Sequence, residues 1–109
     1  MPIWKTLPVA EQPVVTLTGW LVIQTPSGTR HFCGWDMDLD EAKISSPVAT
    51  FYRPTMTGTT ASGRRYRLVG APCLGADARY LLVRWCQIQS IDIDTLDDVS
   101  DDYVPTGAS

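Results

Sequence analysis

The eleven residues from Val14 to Gln24 read VVTLTGWLVIQ, and they fit one regular conformation well. β-Branched and aromatic side chains dominate the run, and such side chains suit a pleated surface. By the period of two, Val15, Leu17, Leu21 and Ile23 fall on one face, and Val14, Trp20 and Val22 on the other. Both faces are partly apolar, so the strand belongs near the centre of a sheet. Gly19 interrupts it, as glycine does at a bulge or a bend.

Shorter segments surround this strand. Thr25-Pro26-Ser27-Gly28 reads as a turn, and Thr29 to Trp35 returns as a second strand, giving a hairpin. Asp36 to Lys43 reads as a solvated acidic loop. Ile44 to Arg53 is a third strand, weakened at Pro47, which lacks a donor for a ladder. Pro54 to Gly63 reads as a loop and Arg64 to Val69 as a fourth strand. Tyr80 to Trp85 is a short apolar run of a kind that periodicity alone cannot assign. Its composition favours a buried strand, with one helical turn at Ala76–Arg79. Ser90 to Asp94 alternates as a last short strand. The expected fold is therefore all-β with at most that one helical turn: a five- to six-stranded antiparallel sheet curled into a small open barrel. Three prolines make residues 1–13 an extended arm, residues 14–95 form a single β domain, and residues 96–109 form an acidic tail expected to fray.

Several classes of protein are disfavoured. No run approaches the length of a membrane span, and the amino terminus lacks the charged and apolar regions of a secretory signal. Three cysteines, Cys33, Cys73 and Cys86, are an odd number without close pairing. That argues against a secreted disulfide scaffold and for free thiols in a cytoplasmic protein.

Near-matches to chemical motifs each fail at a named residue. Gly58 to Gly63 has the glycine spacing of a phosphate loop, but Arg64 and Arg65 stand where lysine and a hydroxyl residue are required. Asp36, Asp38 and Asp40 open like a calcium loop, yet Glu41 and Pro47 occupy its sixth and twelfth places. His31 and Cys33 share a strand face, and with Cys73 and Cys86 they make four possible zinc ligands. The thirteen-residue gap between the last two is not the close pairing of a structural site. A reactive thiolate at Cys33 lacks an electropositive setting beyond Arg30. No catalytic residue, metal or cofactor is implied. Of the four tryptophans, Trp20 and Trp85 are expected inside, and Trp4 or Trp35 partly outside.

Charge is distributed unevenly. Between Phe51 and Arg84 six arginines face one acid, whereas from Ser90 onward there are six aspartates and no base. Asp92, Asp94, Asp97, Asp98, Asp101 and Asp102 can imitate a run of phosphates and engage a basic groove on another protein, with Trp35 as an aromatic anchor. The alternative is nucleic-acid binding through Arg64, Arg65 and Arg67 around Tyr66, which the net charge of −3 disfavours.

The stretch Thr60-Ala61-Ser62-Gly63-Arg64-Arg65-Tyr66-Arg67-Leu68-Val69-Gly70-Ala71-Pro72 is similar to a T-x-SGR-x-Y-x-L-x-G-x-P pattern. That pattern occurs in a group of small bacterial, phage-associated proteins. Asp77-Ala78-Arg79-Tyr80, Trp85, the upstream His31-Phe32 with Gly34, and Ser45-Ser46 fit the same resemblance. It implies interaction rather than metabolism and carries over no functional residues. The expectation is a non-catalytic protein-binding module without a membrane partner. Its concrete form is an anti-CRISPR type inhibitor that occupies the basic groove of a host nucleoprotein defence complex.

Overall fold

The computed structural model describes residues 12–73 and 75–104. Apart from Gln12 and Pro13, the expected arm of residues 1–13 lies outside the described residues. The elements in order are β1 (Val14–Gln24), β2 (Arg30–Asp36), β3 (Glu41–Ile44), β4 (Val48–Tyr52), β5 (Thr57–Thr60), β6 (Arg65–Leu68), α1 (Ala76–Ile88) and β7 (Asp97–Asp98). The domain is small and mostly β. The seven strands of the described residues form one sheet in the order β3-β2-β1-β6-β5-β4, with β7 added on β1. β1 is central, as its apolar faces require. β2 runs antiparallel along one side of it, while the other side takes β6 in parallel and then β7 at its end. The sheet is thus mixed where only antiparallel pairing was expected, and it curls without closing into a barrel.

Curling brings β5 against the inner face of β2. A Cβ on Gly58 would lie 2.5 Å from the Phe32 ring, so only glycine allows this approach. Inside the curl, Val15, Leu17, Trp20, Val22, Phe32, Tyr66, Leu68 and Tyr103 form the main core. On the outer face α1 covers a second cluster of Ile23, Cys33, Leu82, Trp85 and Cys86.

The face assignment along β1 changes at Gly19. This residue has φ +53°, and the pairing with β2 shifts between Thr18 and Leu21. The expected bulge exists, and its extra residue reverses the alternation beyond it. Val15 and Leu17 therefore share the inner core with Trp20 and Val22, while Leu21 and Ile23 turn toward α1.

The strand expected over Tyr80–Trp85 is corrected to a thirteen-residue helix. Ala78, Leu81, Leu82, Trp85 and Cys86 are buried, the one-sided spacing of an amphipathic helix. Tyr80 stays exposed. Asp77 in the first turn complements the positive end of the helix.

Smaller corrections follow from local turns. The acidic loop after Asp36 is only four residues long, because Asp40 adopts φ +55° and β3 begins at Glu41. Met56 at φ +52° likewise reverses the chain and starts β5 inside the stretch expected to be a loop. Ser90–Asp94 is not a strand: Asp92 caps a single 3₁₀ turn over Ile93–Thr95. Residues 96–104, within the tail expected to fray, pack onto β1 and the inner core. Val99 N–H donates to the Val22 carbonyl, and Ser100 Oγ accepts from Val22 N–H, both at 2.9 Å. Tyr103 inserts beside Phe51 and Phe32, with ring centroids 4.8 and 6.0 Å away. Burying one such ring contributes about 1.5–3 kcal/mol, enough to hold a short polar segment down. Trp20 and Trp85 are inside as expected. Among the described residues no helix is long and apolar enough to cross a membrane.

Candidate functional site

The acidic segment crosses the end of β1 and is fastened at several points. Asp98 pairs with Ile23 in the sheet, and its carboxylate accepts from Ser100 N–H at 3.0 Å and from the Ser100 hydroxyl at 2.6 Å. Asp102 is 3.2 Å from the Arg30 guanidinium. Arg30 also lies over the Tyr103 ring, 5.7 Å from its centroid. From the end of β4, Arg53 Nη2 donates to the Asp102 carbonyl. Asp92, Asp94, Asp97, Asp98, Asp101 and Asp102 are nevertheless all exposed. Three of them, Asp92, Asp98 and Asp102, hold the segment's own shape, while Asp94, Asp97 and Asp101 face solvent.

Trp35 is not brought to this segment. It sits opposite Thr18 on β2, whereas the aspartates reach β1 at Ile23 and Gln24. Five residues along a strand is on the order of 15 Å. Trp35 is half-buried, donates to Asp40 Oδ1 at 3.1 Å, and borders a shallow apolar groove with Gly19 and the start of α1.

The arginine trio is divided. Arg65 and Arg67 are exposed on β6, but Arg64 is 4% exposed and its Nε donates to the Gln12 carbonyl at 3.0 Å. Arg64 thus ties the incoming chain to the β5–β6 hairpin and is no part of a surface patch. The glycine spacing that resembled a phosphate loop is this hairpin, with strands on both sides and no helix after it.

Sequence reasoning missed two buried polar centres. Asp36 was expected in a solvated loop but is fully buried. Its carboxylate meets Lys43 Nζ at 3.1 Å and Gln12 Nε2 at 2.8 Å, and it accepts from the Asp38 and Leu39 amides. Lys43 Nζ also donates to Gln12 Oε1 at 2.8 Å. Burial pushes the Asp36 carboxyl up, but the hydrogen bonds outweigh it and hold the group below its ordinary value. The second centre surrounds His31, on the outer face of β2. Nδ1 is 2.9 Å from the Ser45 carbonyl, which can only accept, so Nδ1 carries the proton. Nε2 then accepts from the Thr29 hydroxyl at 3.0 Å. Burial lowers the His31 pKa, partly opposed by the Ser45 bond, and the ring is neutral near pH 7. Period-two spacing put His31 and Cys33 on one face. Nothing in the sequence paired His31 with Ser45 or Lys43 with Gln12.

Cys33 is buried beneath α1, where burial pushes its thiol up to about 12, and burial raises Cys86 as well. A thiol in that state is a core residue rather than a nucleophile. Cys73 is exposed on the linker before α1. Among the described residues no three His, Cys, Asp or Glu side chains converge in a metal-holding group.

No protein-family model, curated protein or solved structure matches this chain.

Proposed function

We propose that the chain is a non-catalytic protein-interaction module that docks its acidic segment, Asp92 to Asp102, into a basic groove of a partner protein. The observation carrying this reading is that six exposed carboxylates ride on a segment fastened by β7, Ser100 and the buried Tyr103. A fixed array loses less freedom on binding than a loose tail and steers a basic partner during encounter. The partner groove is of the kind that holds nucleic-acid phosphates. The phage-associated resemblance supports a host nucleoprotein defence complex as that partner, with the module as its inhibitor.

The test replaces Asp94, Asp97 and Asp101 with Asn, leaving the anchoring aspartates in place. Binding to such a complex should weaken by about tenfold or more at low salt and converge with the parent at high salt. Unchanged affinity in a variant that keeps its melting temperature overturns the reading.

A further inference from the structure

Next to His31 lies a half-open cleft of about 370 Å³, built where the β1–β2 turn, the β3–β4 corner and the end of α1 converge. That volume falls within the range of sites that bury small molecules. Thr25, His31 and Ser45 form its buried floor, Trp85 with the half-buried Pro47 and Ile91 its apolar wall, and the exposed Ser27 and Gln89 its rim.

The floor is directional. His31 Nε2 accepts from Thr29, so the Thr29 hydroxyl accepts in turn from Thr25 at 2.7 Å. Thr25 accepts from Ser27 at 2.9 Å. The protons of these three hydroxyls point inward toward the imidazole, which leaves lone pairs at the Ser27 end facing the rim. A ligand hydroxyl donating there lengthens a chain whose members polarise one another. The Gln89 amide supplies both a donor and an acceptor beside it. Among the described residues no charged side chain lines the cleft. An ionic ligand would therefore lose water without gaining a counter-charge.

We propose that this cleft binds a small, neutral, hydroxyl-rich ligand of monosaccharide size, its hydroxyls on Ser27 and Gln89 and its C–H face on the Trp85 wall. This inference stands apart from the acidic segment and does not depend on it.

His31 is the sole histidine of the chain, and its ring lies 4.9 Å from that of Trp85. The imidazole is therefore a site-specific NMR reporter, and the Trp85 indole, once assigned among the four tryptophans, is a second. Titration with glucose, galactose and mannose should shift both signals saturably for at least one sugar. Gln89→Ala and Ser27→Ala should each weaken binding by about five- to tenfold, as expected for one lost hydrogen bond. Both variants should keep the melting temperature of the parent protein. Three results overturn the proposal. One is no saturable shift at about 100 mM sugar, a hundredfold above a Kd of 1 mM. Another is tighter binding of glucose 6-phosphate than of glucose, which would mean recognition of charge. The third is sugar binding that neither variant weakens, which would place the ligand elsewhere.

Discussion

Asp36 and His31 are both buried on β2, five residues apart, yet they solve the problem of burial differently. Asp36 is a full charge, closed off from solvent by an opposite charge, an amide and two backbone donors. Every acceptor site it offers is directed at the protein itself, so the group locks the β2–β3 turn to the incoming chain at Gln12. His31 is neutral and answered by neutral hydroxyls, and its chain of donors ends at an open cleft. A buried charge demands complete internal pairing and is therefore structural. A neutral network costs less to leave open, and it can be left facing a ligand.

The comparison breaks most visibly at Lys43. Lys43→Met leaves the Asp36 carboxylate buried without its counter-ion, and removing one partner of a buried pair costs about 3–5 kcal/mol. Chemical denaturation should record that loss. The double variant Asp36→Leu, Lys43→Met removes both charges and should be less destabilised than Lys43→Met alone. Equal losses in the two variants would mean that the pair does not act as a unit. On the His31 side, Thr29→Val removes the donor to Nε2 and the acceptor for Thr25. Orphaned neutral groups of this kind cost about 1–3 kcal/mol, and the adjoining cleft allows water to reduce that figure. A loss at Thr29 matching that at Lys43 would erase the distinction between the two centres.

How much of this was legible in the sequence depended on the range of the interactions. β1 was readable because eleven adjacent residues agree on one conformation, and Gly19 announced its own bulge. The consequence of the bulge, Trp20 moving to the face of Leu17, follows only once its single extra residue is counted. Helix α1 was obscured because Tyr80 to Val83 are apolar in a row and only Arg84 separates them from Trp85. The exposed Tyr80 and buried Ala78 that reveal a helical stripe lie at the edge of that row. The aspartates could be seen as a surface, but not the anchoring of their segment, since Tyr103 is one aromatic among acids and its contacts are with Phe32 and Phe51. Least legible were Asp36, Lys43 and Arg64. Charged side chains are seldom buried, and what buries them here is Gln12, 24 and 31 residues from Asp36 and Lys43 and 52 from Arg64.

The smallest effects separate the two centres by pH. His31 in the fold has a pKa below its ordinary value of about 6.5, so the unfolded chain takes up its proton first. Stability attributable to His31 is complete above about pH 6.5 and declines as pH falls from there toward the lower, folded pKa. Asp36 is also depressed, but as an acid its window lies lower. Its contribution is complete above about pH 3.9 and is lost as pH falls through the folded value beneath that. One proton limits either slope to about 1.4 kcal/mol per pH unit. Denaturation midpoints followed from pH 8 to pH 3 should therefore show a shallow decline that begins near neutrality, followed by a separate acid limb. His31→Gln should flatten the first and leave the acid limb, while Asp36→Asn should flatten the acid limb and leave the first. If His31→Gln left the neutral-range slope untouched, the imidazole would be no more buried in the fold than in the unfolded chain. The contrast between a sealed charge and an open neutral chain would then reduce to the charge alone.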